Sequence, residues 1–331
     1  MNIAVIGAGF YGCYIGNMIG AKHKVDIFEK ASKPCAAAII NNQNRLHQGY
    51  HYPRCLKTIR QTVNTYKIFL DEFGSCVKFV DDNIYAVHKN SHVSFKEYIQ
   101  TFNSFGLDHR VVPDKDKVWE KVKNSKDFQG AVRTSEGVID CNKLTRNILE
   151  KIYKNKNVSL YCNETIDSHT ILEFQKKYDY IINCTYNSPF LGMKPLVETK
   201  DEVCLIAVMK DTRFANLGFT IMDGPFCSLY PLDNDVYTMS SVLYTPVLGQ
   251  TASSFCVKEQ LEKIINHGKE YFDMSNSKLI DYYYGTKTKI KNDINDQRYS
   301  FVSKQDNIIS VFSGKISSVI ESCNEVLDAI K

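Results

Sequence analysis

Apolar positions near the N-terminus change period twice. Ile3-Ala4-Val5-Ile6 is an unbroken apolar run of strand length, and a glycine-rich turn follows it. From about Gly12 to Ala21 the apolar positions recur at helical spacing, and a second short run, Val25-Asp26-Ile27-Phe28, ends in Glu29. Strand, glycine turn, helix and strand form the opening unit of a doubly wound α/β fold. Ile59, Val63, Tyr66, Phe69, Leu70 and Phe73 then predict a helix over Thr58 to Phe73, with Gly74 as its stop. Two stretches depart from this pattern. The first, about Val77 to Thr134, offers Val77–Val80 and Ile84–Val87 as strands about an Asp81-Asp82-Asn83 turn. The second, about Lys200 to Thr286, offers Val203–Val208, Phe226–Tyr230, Val236–Leu243 and Leu279–Tyr284. Between them Asn142–Tyr153 reads as a helix, and Val158–Tyr161 and Tyr180–Ile182 read as short buried strands. The last segment repeats the opening: strand Asn307–Phe312, turn Ser313–Gly314, helix from about Lys315 to Ile330.

The predicted fold is α/β, a Rossmann-type nucleotide-binding domain carrying an inserted antiparallel β-sheet (α+β) domain. The first would be assembled from residues 1–75, 135–199 and 288–331, the second from 76–134 and 200–287. At 331 residues the chain is long enough for two such cores. Charged residues are 24% and the net charge is +4, which gives no basis for a nucleic-acid or membrane partner but leaves room for an anion-binding pocket. The eleven cysteines are odd in number and contain no C-x-x-C pair, so a reduced, cytoplasmic protein without a disulfide framework is expected. The first residues lack the layout of a signal peptide, and no apolar run reaches the ~18 residues of a membrane span.

Gly7-Ala8-Gly9-Phe10-Tyr11-Gly12 follows a strand and opens a helix, the context in which a G-x-G-x-x-G run binds a dinucleotide. Gly7 allows the turn, Gly9 lets backbone approach a pyrophosphate, and Gly12 allows the helix to pack closely. Glu29, followed by Lys30, stands where an acid accepts hydrogen bonds from the adenosine ribose, which disfavours NADP and leaves NAD or FAD. The closing strand and helix could place a second helix N-terminus at the far end of the cofactor, a feature of use to a flavin. His47 and His51, like His88 and His92, are four residues apart, but no further ligand pattern accompanies either pair, so no metal site is predicted.

The run Asn44-Arg45-Leu46-His47-Gln48-Gly49-Tyr50-His51-Tyr52-Pro53-Arg54 resembles the segment after the second strand in the D-amino-acid oxidase-like superfamily of FAD enzymes. The look is nearest to the 2-hydroxyglutarate oxidase and glycerol-3-phosphate dehydrogenase branches. Ser313-Gly314-Lys315-Ile316-Ser317 is similar to the Gly-Gly-Lys-x-Thr motif of the latter branch, and Asp179–Tyr186 resembles a strand and turn that approaches the cofactor. The resemblance implies FAD as cofactor. Gly7, Gly9 and Gly12 would hold its pyrophosphate, Glu29 its ribose, and Asn44, Arg45, His47 and Gly49 would line the flavin. Cys184 and Thr185 would lie beside the dinucleotide, and Gly314, Lys315 and Ile316 would face the pyrimidine end. It further implies removal of a hydride from a C–H next to an amine or hydroxyl of a small-molecule substrate, with oxygen or another electron acceptor completing the cycle. His47, His51 and Tyr52 are the candidates for the catalytic positions. Where many relatives have Gly-x-Arg-Pro this chain has Gly285-Thr286-Lys287-Thr288, and Lys287 lacks a planar fork for a carboxylate. Arg54, Lys287, Arg298 and Tyr284 are nevertheless expected at the substrate, with Arg213 as a further cation. A flavin-dependent nucleotide-sugar isomerase and a non-catalytic FAD-binding protein stand as alternatives. Oligomeric state stays open.

Overall fold

The computed structural model describes residues 1–186, 197–247, 255–293 and 295–330. Of the two domains drawn above, residues 187–196, 248–254, 294 and 331 therefore lie outside the described residues.

The N-terminal apolar runs become neighbouring parallel strands, Asn2–Ile6 and Lys24–Glu29, joined by the helix Phe10–Ile19. They belong to a six-stranded sheet ordered Phe301–Gln305, Ile308–Phe312, Tyr180–Asn183, Asn2–Ile6, Lys24–Glu29, Val158–Cys162. Every pair in it is parallel except the hairpin formed by the first two strands named. The chain leaves Asn2–Ile6 toward one side of the sheet, while Tyr180–Asn183 lies on its other side. A crevice opens at the C-terminal ends of these two strands, the place where doubly wound sheets bind their ligands.

Helix Leu56–Phe73 packs on helix Phe10–Ile19 through Phe69 and Phe73, whose rings meet Phe10 at centroid distances of 6.3 and 5.6 Å. Each such buried phenyl contributes roughly 1.5–3 kcal/mol through apolar burial. The helix ends at Gly74 as expected, but Gly74 keeps right-handed helical backbone (φ −57°) and starts a single 3₁₀ turn. The closing helix runs from Val319 to Ala329, four residues later than its periodicity suggests. Its lead-in is wound more tightly, with amides of Ser318, Val319 and Ile320 bonded three residues back. Gly314 explains the delay: a Cβ there would lie 2.1 Å from the Arg298 carbonyl oxygen, so the loop is pressed onto another backbone and cannot yet wind as a helix.

The two β-rich stretches meet in one nine-stranded sheet. Val77–Phe79 and Asp82–His88, expected about one turn, are divided between sheets: the former pairs with Gly137–Ile139 in a three-stranded sheet that also holds Arg45–Leu46. The latter joins the large sheet and lies parallel to Leu217–Met222, a strand the apolar pattern did not single out. This one parallel pair in an otherwise antiparallel sheet is where the two stretches come together. Helices Phe95–Ser104, Thr170–Lys177 and Val257–Tyr271 were also not anticipated. The first carries a local signal, a capping box in which Ser94 Oγ accepts from the Glu97 amide at 3.2 Å and Glu97 accepts from the Ser94 amide at 2.8 Å.

All eleven cysteines are free thiols. No helix among the described residues is long and apolar enough to cross a membrane, and none of their His, Cys, Asp and Glu side chains form a group that could hold a metal ion.

Gly314→Ala should destabilise the fold by about 3 kcal/mol or prevent folding, because its Cβ has backbone on every near side. Gly74→Ala, with nothing within 4 Å of its Cβ and φ already helical, should change stability by less than about 0.5 kcal/mol. Urea unfolding of both variants checks the pair; equal effects would contradict the packing described.

Candidate active site

The glycine turn is shaped by backbone contacts. Gly7 has φ +96°, and a Cβ on it would lie 2.7 Å from the Cys184 carbonyl oxygen; a Cβ on Gly12 would lie 1.9 Å from the Gly7 carbonyl oxygen. Gly9 differs, since a Cβ there meets nothing within 4 Å and points into open space. No side chain caps helix Phe10–Ile19, and its first intrahelical bond runs from Cys13 N to Gly9 O, so the preceding amides have no acceptor within the helix. An open floor at Gly9 beside an uncapped helix N-terminus fits a dinucleotide pyrophosphate.

Glu29 closes the turn. Its Oε2 accepts from the Ala8 amide at 2.8 Å and its Oε1 from the Ala31 amide at 2.9 Å, and each oxygen retains a lone pair for a further donor. Lys30 is exposed beside it. The Phe10 side chain belongs to the core, so this residue offers the crevice only its backbone. Tyr11 turns toward the end of the chain: its hydroxyl donates to the Lys315 carbonyl and lies 3.0 Å from Ser300 Oγ, which accepts from the Gly314 amide at 2.8 Å. Cys184 abuts Gly7, and Thr185 is held by Asn183 Oδ1, 2.7 Å from its hydroxyl. Ile316, half-buried, packs on the apolar core under the crevice.

The loop from Asn44 to Arg54 brings the predicted histidines together. The His47 and His51 rings are 5.4 Å apart, and Tyr52 lies 5.8 Å from the former and 5.0 Å from the latter. Lys315 Nζ sits 4.1 Å from the centre of the Tyr52 ring. His51 Nδ1 and Asn44 Oδ1 are buried with no hydrogen-bond partner among the described residues.

Several charged residues share this region. Burial first, then Lys315, Arg45 and Lys287, hold His47 well below the ordinary imidazole range. Burial, then His47, Arg45 and Lys315, do the same for His51. Lys315 is lowered to about 7 by desolvation and then by Arg45. Lys287 is lowered to about 8, chiefly by Arg298, then by desolvation and Lys289. Its side chain is exposed. Both imidazoles are therefore neutral near pH 7 beside cations that are only partly proton-saturated.

The remaining cations are engaged elsewhere. Arg54 forms a forked ion pair with Asp223, with Nε 2.5 Å from Oδ2. Arg298 is 7% exposed and reaches Asp296 at 2.5 Å and Asp293 at 3.9 Å. Arg213 is tied to Asp211 and Asp273. These carboxylate partners were not visible in the sequence, and each of the three arginines is ion-paired in the folded chain. Tyr284 stacks at 13° on Phe255 with much of its surface in solvent. Lys287, by contrast, has no ion-pair partner among the described residues; Glu202, opposite it in the sheet, is occupied by Lys200 and Lys289. Gly49 (φ +125°) is required by helix packing, since its Cβ would lie 3.1 Å from Ile59 Cγ2. Arg45 is buried, stacked 4.2 Å over Tyr230 and bonded to Thr220 Oγ1 at 2.6 Å, which fastens the loop to the large sheet. A residue absent from every sequence motif, Glu136, lies fully buried beneath His47, 3.7 Å from its Nδ1. A separate cavity of about 350 Å³, lined by Lys123, Met209, Ile265, Met274 and Leu279 among others, contains none of these groups.

Solved structures share the whole fold. Glycine oxidase from Geobacillus kaustophilus superposes with a TM-score of 0.73 at 11% identity, covering 99% of this chain and 94% of that one. L-proline dehydrogenase from P. horikoshii gives 0.73 at 14%, covering 99% and 93%. L-alpha-glycerophosphate oxidase from Mycoplasma pneumoniae, solved with FAD bound, gives 0.72 at 12%, covering 99% and 94%. Among curated proteins the chain is similar to "FAD-dependent monooxygenase FPY4" of Fusarium mangiferae, 24% identical over 99% of this chain and 91% of that protein. It is also similar to "FAD-dependent monooxygenase kojA" of Aspergillus flavus, 22% identical over 100% and 86%. The profile of the family described as FAD dependent oxidoreductase matches residues 2–294. With the glycine turn, the open crevice and this match in agreement, the chain belongs to the FAD dependent oxidoreductase family and is an FAD-dependent enzyme.

Proposed function

We propose that the enzyme oxidises a C–H next to an amine or hydroxyl of a small, polar, anionic substrate. The observation that carries this reading is the meeting of neutral His47 and His51 with the unpaired Lys287 at the mouth of the FAD crevice. Residues 76–134 and 200–287 would form the substrate domain, and the remainder the FAD domain. Eleven free thiols accord with a cytoplasmic setting.

Bound FAD supplies the oxidant, a ring that accepts a hydride equivalent. Gly7, Gly9, Gly12 and the amides that follow would hold the pyrophosphate. Glu29 would accept from the ribose, and Asn44, Thr185 and Lys315 would border the remainder. Lys287 attracts and orients the anionic end of the substrate. His47, neutral at its working pH, accepts the proton that leaves the substrate amine or hydroxyl; His51 and Tyr52 enclose the same space and exclude water. A second reading, oxygen insertion, is favoured by the printed names of the curated relatives. Isotopic oxygen appearing in the organic product, rather than in hydrogen peroxide, would select it.

The protein should purify yellow and release FAD. Gly9→Val should melt at the wild-type apoprotein temperature yet retain less than about a tenth of the FAD, because its side chain occupies only the pyrophosphate space. Substrates come from anaerobic bleaching with a panel of amino acids, hydroxy acids and phosphorylated polyols; no bleaching by any of them would overturn the reading. His47→Ala should slow bleaching about ten-fold or more with FAD retained.

Lys287 binds an anion only while protonated, and its pKa of about 8 sets the sign. KM for the identified substrate should be flat below about pH 7 and rise above about pH 8 as the ammonium is lost. Lys287→Ala should raise KM at pH 7 and remove that rise, whereas Arg213→Ala should alter neither, its charge being held by Asp211 and Asp273.

A further inference from the structure

We propose that Glu136 is a positioning residue that fixes the tautomer of His47, keeping the proton on Nδ1 and leaving Nε2 as the acceptor of the site. Glu136 lies between strands Phe128–Thr134 and Gly137–Ile139 and is fully buried. Its backbone is immobilised on both sides: its carbonyl accepts from Val80 N at 3.2 Å, and a Cβ on Gly137 would lie 2.6 Å from Val77 Cγ1.

The carboxylate accepts three donors. Oε1 takes the Gln48 amide at 2.6 Å, and Oε2 takes the Tyr85 hydroxyl and Asn83 Nδ2, the latter at 3.3 Å. Tyr85 has a single hydroxyl proton, and this bond uses it. Toward its other neighbour, His47 Nδ1 at 3.4 Å, the phenol oxygen can only accept. Glu136 Oε2 itself lies 3.7 Å from the same nitrogen. As a carboxylate, a form that Tyr85, Gln48, Arg45 and Asn83 favour against the burial that raises its pKa, Glu136 gives Nδ1 a second acceptor and no donor, so Nδ1 carries the ring proton, and a neutral imidazole has only one.

The charges around His47 make this arrangement consequential. Arg45, Lys287, Lys315 and His51 oppose its protonation, Asp296 and Glu136 favour it, and Tyr52 and Tyr85 are neutral. The cations keep Nε2 free before a proton arrives, and Glu136 stands on the opposite edge of the ring once it has arrived. A carboxylate buried without an ion-pair partner at contact distance is costly, and here its three donors offset much of that cost while holding a functional ring.

The proposal rests on His47 as the proton acceptor, but its test reads the ring proton rather than turnover, so either can fail alone. Holoenzyme labelled with ¹⁵N in its histidine rings is observed by long-range ¹H–¹⁵N correlation at pH 7.5 as a chosen condition of about neutral pH, with His47 assigned by loss of its signals in His47→Gln. The expected spectrum shows protonated Nδ1 and unprotonated Nε2. In Glu136→Gln the two nitrogens should exchange character, because Gln48 N and the Tyr85 hydroxyl donate to different carboxylate oxygens and one of these becomes an NH2; with the amide oxygen kept on Gln48 N, the NH2 donates to the phenol oxygen and frees the phenol proton for Nδ1. Tyr85→Phe should keep the wild-type pattern, since Glu136 still faces the ring. A wild-type ring protonated on Nε2, or an unchanged tautomer in Glu136→Gln, overturns the proposal. If Glu136→Gln does not fold, the wild-type and Tyr85→Phe spectra still decide.

Discussion

The molecule is organised by places where one backbone lies so close to another that only hydrogen fits between them. At the crevice the Cys184 carbonyl occupies the space of a Gly7 side chain, and the Gly7 carbonyl occupies that of Gly12. These contacts press the first helix onto the end of the first strand and leave its uncapped amides looking into the crevice, where their partial positive charge is useful to a pyrophosphate. The same device recurs at the far end of the chain, where Gly314 rests on the Arg298–Tyr299 backbone. Tyr11 joins the two, because its hydroxyl reaches both the Lys315 carbonyl and Ser300. Gln61 adds helix Leu56–Phe73 through paired bonds to the Ser300 backbone, at 2.6 and 3.0 Å.

Around this frame the charges divide into those that are consumed by structure and those that are left for chemistry. Arg54, Arg213 and Arg298 each have carboxylates at contact distance and fasten loops. Lys287 and Lys315 have none among the described residues, crowd other cations, and are correspondingly easy to deprotonate. Neutral imidazoles thus stand beside cations that have no carboxylate at contact distance among the described residues. Arg45 belongs to both groups: it anchors to Thr220 and Tyr230, and its charge reaches His47, His51 and Lys315.

Glycines and alternating periods are local signals, and they were readable. The unit Asn2–Glu29, the central strand Tyr180–Asn183 and the closing strand follow from short-range pattern. The dinucleotide assignment followed from a glycine turn and an acid at the second strand's end, and FAD rather than NAD from the closing strand–Gly314–helix segment and the resemblance carried by the Asn44–Arg54 run. Strand Leu217–Met222, buried on both faces, shows no alternation to mark it, whereas helix Val257–Tyr271 carries a helical spacing at Val257, Leu261, Ile264 and Ile265 that went unread.

What the sequence determined by itself, then, is the kind of fold and the cofactor, because each of the signals that point to them lies in a short run of neighbouring residues. Tertiary structure decided which charged groups are available. Lys287 and Arg298 look equivalent as letters, but one stands open in the cleft while the other is locked to Asp296, because a salt bridge depends on a few ångströms across the fold. Glu136 belongs to no motif and reaches His47 only because strands Phe128–Thr134 and Gly137–Ile139 carry it under a loop that lies far away in the chain. Burial, the largest influence on the proton affinity of His47, His51 and Lys315, is a property of the packed whole and has no signature in a short run of residues.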